Sequence, residues 1–592
     1  MKKIALLVIA FALIIGMTQC KKKAATPVSD NGIQITLSAN NGCDEKTNFN
    51  GTGFTWSEPG TEIIYVGGNN TGYLGHLTST SNSADGKKAD FSGSINNPGG
   101  NETLYFFYLG KGAVKEDPNN LDFSKQDGTI GNVTNYHIAM GSAAYSSTNT
   151  YTDVTFDMKM AIARFNTKDF DGSVYIHGDG IYSAATVNYR TGTITGTTEG
   201  FNLIGAASEN CYVAMIPQAS PKETVVKFES GGHTGEMTFV RGIKENMYYC
   251  DNGSSLAVSA SAITGVVKGL FSVDGTNGIP TKMVRFAPGN LQWSSSNGGT
   301  EATTHAVADG GTAAGTWRFA EHQYGFVGSS RQHNSNSDYT DLLGNVFGVN
   351  GNLGTKCDNI EIASDYKGWI DLFGWATSGY SSGASAYQPY HHPNSTGAYL
   401  QKAITETNSD WGIYNAIYNP SSNTTDAPGI WYTPTIDNWT YMIGEATHTY
   451  THRTTTSGSF YVKAELEGHI YGLILFPDHW DNSIYTFKEG SINKHDEDYK
   501  ENQITLDNWN TKLEPAGCVF LPSVGYLDSS VSNIRVNWLS QTSNLSNGYY
   551  WASTISDATN PNRLNIYYNK LADALGGGNN RGRAVRLIRT VD

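Results

Sequence analysis

Val154-Thr155-Phe156-Asp157-Met158 alternates apolar and polar side chains, and Lys159-Met160-Ala161-Ile162-Ala163-Arg164-Phe165 follows at once. A period of two places successive side chains on opposite faces of a pleat, so this stretch predicts a half-buried β-strand. Working outward, similar short runs recur at Ile33–Leu37, Glu62–Val66 and Leu104–Tyr108, then at Ser173–Ile176 and Tyr212–Ile216. Asn-Gly, Gly-Gly and Pro-Gly dipeptides punctuate them. Short strands at such spacing predict an all-β first half of sandwich type. No amphipathic helix of more than three turns is legible before the change of style near Ser259–Gly269.

Composition supports this reading. The chain has 592 residues, 66 of them Gly and 34 Tyr, and a net charge of −14. Tyr, Thr and Val suit pleated surfaces, and Gly suits turns. No basic patch is large enough for nucleic acid, which needs clustered Lys and Arg against phosphate. Six cysteines occur, at 20, 43, 211, 250, 357 and 518, with no CxxC pair, so a structural zinc site is not expected. Most of the thiols are expected to be small buried hydrophobes, a Cys211–Cys250 disulfide being the alternative for that pair.

The amino terminus reads as an export signal. Lys2 and Lys3 precede an apolar run from Ile4 to Ile15, and Gly16-Met17-Thr18-Gln19-Cys20 closes it. The run is shorter than the roughly 20 residues of a membrane-spanning helix. Residues 1–19 are therefore read as a lipoprotein signal, Cys20 as the lipidated residue and residues 20–31 as a polar tether. Acyl chains add about 0.8 kcal/mol per buried CH2, enough to hold a folded domain on a membrane. The expected location is the cell outer membrane, by way of the lipid anchor. Lys21-Lys22-Lys23, however, is basic, unlike an acidic signal for export of a lipoprotein to the cell surface.

Three stretches carry a resemblance. Phe49-Asn50-Gly51-Thr52-Gly53-Phe54-Thr55-Trp56, with Gly60-Thr61-Glu62-Ile63-Ile64-Tyr65-Val66, resembles the opening of Bacteroidetes fimbrillin-like proteins, where a Gly-Asp pair usually stands in place of Gly60-Thr61. Phe156–Phe165 resembles the strand opening their second sandwich, and Cys211-Tyr212-Val213-Ala214-Met215-Ile216-Pro217-Gln218 resembles a later strand. The resemblance implies two tandem β-sandwich subdomains, at 32–153 and 154–262, of a pilus subunit or accessory protein. It also implies partners: other fimbrial subunits joined by strand addition, with Ile33–Ser38 as the strand released and Lys46 as the processing point.

After a linker at 263–268 the chain turns aromatic, as in Gly368-Trp369-Ile370-Asp371-Leu372-Phe373-Gly374-Trp375. Two helices are predicted, from Thr435 with Trp439, Met442 and Ile443 on one face, and from Thr505 with Leu506, Trp509 and Leu513 on one face, the latter stopping at Ala516-Gly517. Strands are predicted at Cys518–Leu521, Gly548–Thr554 and Ala584–Ile588. Trp431-Tyr432-Thr433-Pro434, Phe520-Leu521-Pro522, Tyr550-Trp551-Ala552-Ser553-Thr554 and Arg581–Leu587 together resemble the C-type-lectin-like domains of bacterial surface proteins, close to the formylglycine-generating-enzyme fold. That resemblance covers 269–592 and implies an α+β domain.

The chemistry is sparse. Calcium lectins of this superfamily use a Glu-Pro-Asn or Gln-Pro-Asp triplet with Trp-Asn-Asp; here Gln388-Pro389-Tyr390 and Trp509-Asn510-Thr511 each lack the final carboxylate, so no cofactor is expected. Cys518, in an apolar run, is expected to be inert. Gly379-Tyr380-Ser381-Ser382-Gly383 matches GxSxG without the strand and helix a nucleophile elbow needs. Asp478 and His479 are expected in a polar turn after Leu473–Phe476. The candidate ligand-binding residues are Tyr380, Tyr387, Tyr390, His391 and His392, in the Ser378–Tyr399 loop. Exposed rings there would stack on sugars or anchor a protein partner; packing of the loop on its own domain is the alternative. The sequence thus predicts no enzyme but a surface adhesin, an accessory or tip subunit of a fimbria binding a glycan or host protein. A monomeric glycan-binding lipoprotein of a carbohydrate-uptake system is the other reading.

Overall fold

Nearly all regular structure is strand, so the mainly β expectation holds. The computed structural model describes residues 32–591 except 42–54, 57, 113–117, 179, 201, 250–256, 277–278, 295–314, 327–338, 341–345, 348–359, 362–368, 390–398, 445–452, 469, 529–534, 537–546, 558–559, 568–569 and 575–580. Cys20, Lys46, Tyr390, His391 and His392 lie outside the described residues. The chain forms two compact units: residues 1–121 with 136–159 and 186–195, and residues 122–135 with 160–185 and 196–592.

The first unit is a closed barrel. Its strands are β1 (Ile33–Asn41), β2 (Ile63–Gly68), β3 (Gly72–Asn82), β4 (Lys88–Ile95), β5 (Thr103–Tyr108), β6 (Ala139–Ala144) and β7 (Thr150–Met158). They pair in the order β1-β4-β3-β2-β5-β6-β7 and close through β1 against β7. Where two open sheets were expected, closure removes the edges that would otherwise seek a partner. Strand β1 runs antiparallel to β4, from Ile33 opposite Ile95 to Asn40 opposite Lys88, and parallel to β7. Its alternation works as the pleat requires: Ile35, Leu37 and Ala39 are buried, while Gln34 and Thr36 are exposed. Trp56 fills the interior edge-on to Phe91 at 5.2 Å, Tyr108 at 5.1 Å and Phe156 at 5.7 Å.

The second unit begins with two facing sheets. One has the order 202–206, 173–177, 224–229, 233–239, 261–262; the other is 211–215, 161–165, 247–249. Val174, Ile176, Val226 and Phe228 from the first sheet meet Ala161, Ala163, Phe165 and Val213 from the second in one core. Phe165 lies edge-on to Phe228 at 4.9 Å. Cys211 is a free buried thiol, and Cys250, its partner in the disulfide alternative, lies outside the described residues.

The rest of this unit mixes short sheets, loops and single helical turns. Ile436–Ile443 is the predicted helix: the Thr435 hydroxyl accepts from Asn438 N at 3.1 Å, the Asn438 side chain accepts from Thr435 N at 3.0 Å, and Gly444 ends it with φ +61°. It buries Ile436, Trp439, Met442 and Ile443. The second predicted helix is only partly α. After Leu506–Asn508, residues Trp509–Leu513 form a π turn, with Glu514 N donating to Trp509 O at 2.9 Å. The inserted residue breaks the regular 3.6 spacing, so Trp509 and Leu513 are buried and Leu506 is only half-buried. The predicted strand at Ala584–Ile588 is also revised. Those residues are buried, but their backbone bonds go to several partners: Trp551 N donates to Ala584 O at 3.0 Å, Leu291 N to Val585 O at 3.0 Å and Ala287 N to Leu587 O at 3.0 Å. The regular strand is Ile588–Thr590.

Candidate functional site

The described part of the 378–399 loop is pinned at its base. The Ser378 hydroxyl donates to Asn408 O at 2.8 Å, Gly379 N donates to Tyr387 O at 2.8 Å, and the Asn415 amide donates to Ser378 O at 2.9 Å. Tyr380 remains 37% exposed, with its ring edge-on at 5.3 Å to Tyr414, itself 38% exposed. Tyr387 is half-buried, and Tyr399 is buried against the Trp-rich core, so neither matches Tyr380 as a surface ring. The structure thus brings together Tyr380 and Tyr414, a residue that sequence reasoning did not single out.

Asp410 explains the placement. Its carboxylate caps the turn Trp411–Tyr414 by accepting from Gly412 N at 2.9 Å, and it accepts from Thr433 N at 2.9 Å. One buried group therefore fixes both the Tyr414 turn and the backbone beside Tyr432. Burial pushes its pKa up to about 6 against the pull of those N–H donors.

Tyr432 stands between two clefts. Trp431 is buried and Tyr432 half-exposed, as alternation along an extended segment requires; the signal lay in Trp431-Tyr432-Thr433-Pro434, read above for fold alone. The Lys282 ammonium sits 4.9 Å from the Tyr432 ring centre, and the Tyr432 hydroxyl lies 3.2 Å from Thr590 Oγ1. One cleft, of about 780 Å³, is lined by Asp274, Lys282, Glu406, Tyr432, Asp437 and Tyr441. The other, of about 960 Å³, is lined by Lys227, Thr234, Ser261, Arg285, Tyr432 and Arg589. Both fall in the size range of small-ligand sites.

Other candidates serve the fold. Asp478 and His479 do form a turn, but not a solvated one. Asp478 is buried and His479 half-buried; Asp478 pairs with Arg453 at 2.7 Å and accepts from Ser272 N at 3.0 Å and from the Ser272 hydroxyl. Burial pushes the His479 pKa down to about 4. Cys518 is a free buried thiol just before the strand Val519–Pro522, its pKa raised well above the usual range by burial. Gly379 to Gly383 lies in a loop, with φ +90° and +85° at its ends. Arg285 Nη2 meets Glu229 at 3.1 Å and Ser230 O at 2.6 Å, and Nη1 donates to Gly231 O at 3.2 Å and to Lys268 O. Among the described residues, no group of three or more His, Cys, Asp or Glu is placed to hold a metal ion, and no helix is long and apolar enough to cross a membrane.

No family model and no curated protein matches the chain. Solved structures do. A fimbrial protein from Bacteroides ovatus is similar over 94% of this chain and 99% of that one, at 11% identity and a TM-score of 0.20. The tip fimbrial protein of Porphyromonas gingivalis, truncated at its C-terminus, is similar over 39% of this chain and 99% of its own, at 9% identity and a TM-score of 0.23. A Bacteroides uniformis protein provisionally named for cell adhesion is similar over 39% and 97%, at 16% identity and a TM-score of 0.26.

Proposed function

We propose that the protein is a non-catalytic cell-surface adhesin, an accessory or tip subunit of a fimbria, exported and tethered by a lipid on Cys20. The observation that carries this reading is the seat of β1. It is held along both edges, by β4 and by β7, and the chain leaves it directly into the segment containing Lys46. Cutting at Lys46 frees β1 together with the lipid tether. Its departure exposes the backbone donors and acceptors of β4 and β7, and a strand from a neighbouring subunit replaces it. The barrel and the two-sheet region that follows it then serve assembly, and a C-type-lectin-like region at 269–592 faces the ligand with Tyr380 and Tyr387. So large an extra region suits an end or accessory position better than every repeat of a shaft.

The N-terminus of the protein in isolated fimbriae tests this. Chains beginning at Thr47, in ladders that resist sodium dodecyl sulfate, are expected. Fibres carrying intact lipidated Cys20 would rule out the processing route.

The clefts at Tyr432 favour a second reading, a monomeric glycan-binding outer-membrane lipoprotein serving carbohydrate uptake. It predicts saturable glycan binding by a monomer that is absent from fimbriae.

A further inference from the structure

The cleft of about 960 Å³ has an unusual charge arrangement. Arg285 and Glu229 are committed to each other at 3.1 Å. The half-buried Arg589 guanidinium makes no hydrogen bond or close ion pair with any described residue; it stands cross-strand from Arg285, acts on Glu229 only at longer range, and lies 5.8 Å from the Trp431 ring centre. Lys227 stands cross-strand from the exposed Glu236 and forms no ion pair with a described residue. Two cations thus face a cleft whose carboxylates are Glu229, already engaged, and Glu236, turned to solvent. Hydroxyls of Thr234, Ser259, Ser261 and Thr590 also line the cleft, with Tyr432 as its aromatic wall.

We propose that this cleft binds a carboxylate-bearing saccharide, with Arg589 forking the carboxylate, Lys227 adding charge, and Tyr432 and the hydroxyls receiving the sugar rings. A planar guanidinium matches a carboxylate through two parallel N–H···O bonds. Hydroxyl side chains match a polyhydroxylated ligand, and a ring edge or face takes the apolar side of a pyranose. An acidic peptide is a poorer fit, since the apolar side chains of the lining are only Ile430, Val591 and the Tyr432 ring, leaving no pocket for a peptide's side chains. The proposal rests on the adhesin reading and names its ligand class.

The test is isothermal titration of the full chain with trigalacturonate, with carboxyl-reduced trigalacturonate and with hexaglutamate. Trigalacturonate is expected to bind, and both Arg589→Gln and carboxyl reduction to weaken binding by about 10- to 100-fold, the scale of one lost charge-assisted bond. Lys227→Gln, on an open strand face, is expected to weaken it several-fold, and it keeps the test decisive if the Arg589 variant misfolds beside Trp431. No binding of trigalacturonate, equal binding of its reduced form, or unchanged affinity in both folded variants would overturn the site. Tighter binding of hexaglutamate would overturn the saccharide assignment in favour of an acidic peptide. Assembly into fimbriae is scored on the same variants. Retained assembly without uronate binding sinks this site alone, whereas absence of the wild-type chain from fimbriae sinks the fimbrial reading.

Discussion

Arg453 and Asp478 form an ion pair at 2.7 Å with both side chains almost fully buried. Arg453 also donates to Met442 O at 2.8 Å and Phe460 O at 3.0 Å, so its guanidinium ties the Ile436–Ile443 helix to the Tyr461–Leu466 strand region. Removing one partner leaves the other charged and dry. Arg453→Met is expected to destabilise its unit by about 3–5 kcal/mol in urea unfolding, and the double change with Asp478→Asn by less than the sum of the single changes.

The helix at Ile436–Ile443 depends on its ends. Thr435→Ala removes both the hydroxyl acceptor and the reciprocal box with Asn438. A loss of about 1 kcal/mol in thermal or urea unfolding is expected, and Thr435→Ser should recover most of it.

Buried histidines set the acid limit. Burial lowers the pKa of His137 from 6.5 to about 3, and of His177 to about 4. The folded state binds fewer protons than the unfolded chain in this window, so stability is present above pH 6.5 and is lost as pH falls through the folded values. His137→Phe should flatten the slope of the first unit's stability between about pH 6.5 and 4, removing up to about 2–3 kcal/mol of pH dependence. Asp410 has the opposite sign. Its folded pKa of about 6 lies above the ordinary 3.8, so its contribution is full below pH 3.8 and is lost as pH rises through 6. Asp410→Asn should remove that term, which unfolding curves at pH 4 and 7 would show.

Tyr380 and Tyr414 form an exposed edge-on pair. Replacing either by Ala should shift the unfolding midpoint only modestly, because both rings lie at the surface, outside the Trp-rich core. If the loop is the recognition surface, binding on a glycan and host-protein array should fall by about tenfold for each, on the scale of one aromatic contact. Unchanged binding in the double variant would move recognition to the clefts at Tyr432.

Much of the fold was legible because its signals are local. Alternation at Ile33–Leu37 and Val154–Met158 gave two barrel strands, and Thr435 with Gly444 bracketed a helix. What alternation could not reveal was that β1 and β7 pair with each other, since closure depends on strands more than a hundred residues apart. The π turn at Trp509–Leu513 was hidden for a related reason. A 3.6-residue pattern and a pattern with one inserted residue look alike over two turns, and packing of Trp509 and Leu513 decides between them. Asp478 looked like a solvated turn because its partner, Arg453, precedes it by 25 residues. The site was less legible still. Tyr380 meets Tyr414 and Tyr432 meets Lys282 only after folding, and Arg589 lies in a segment whose resemblance spoke of architecture alone.

Arg285 has a mechanical consequence. Its guanidinium grips Glu229, the Ser230 and Gly231 carbonyls and the Lys268 carbonyl from a single strand, Ile279–Phe286. Bonds that radiate from one rigid fork must rupture together, unlike the rungs of a ladder peeled in turn. A tug on the far end of this unit is therefore shared among them, and the grip behaves as a rivet. Arg285→Lys, with one compact ammonium in place of the fork, would turn that rivet into a hook and lower the force at which the two parts of the unit separate.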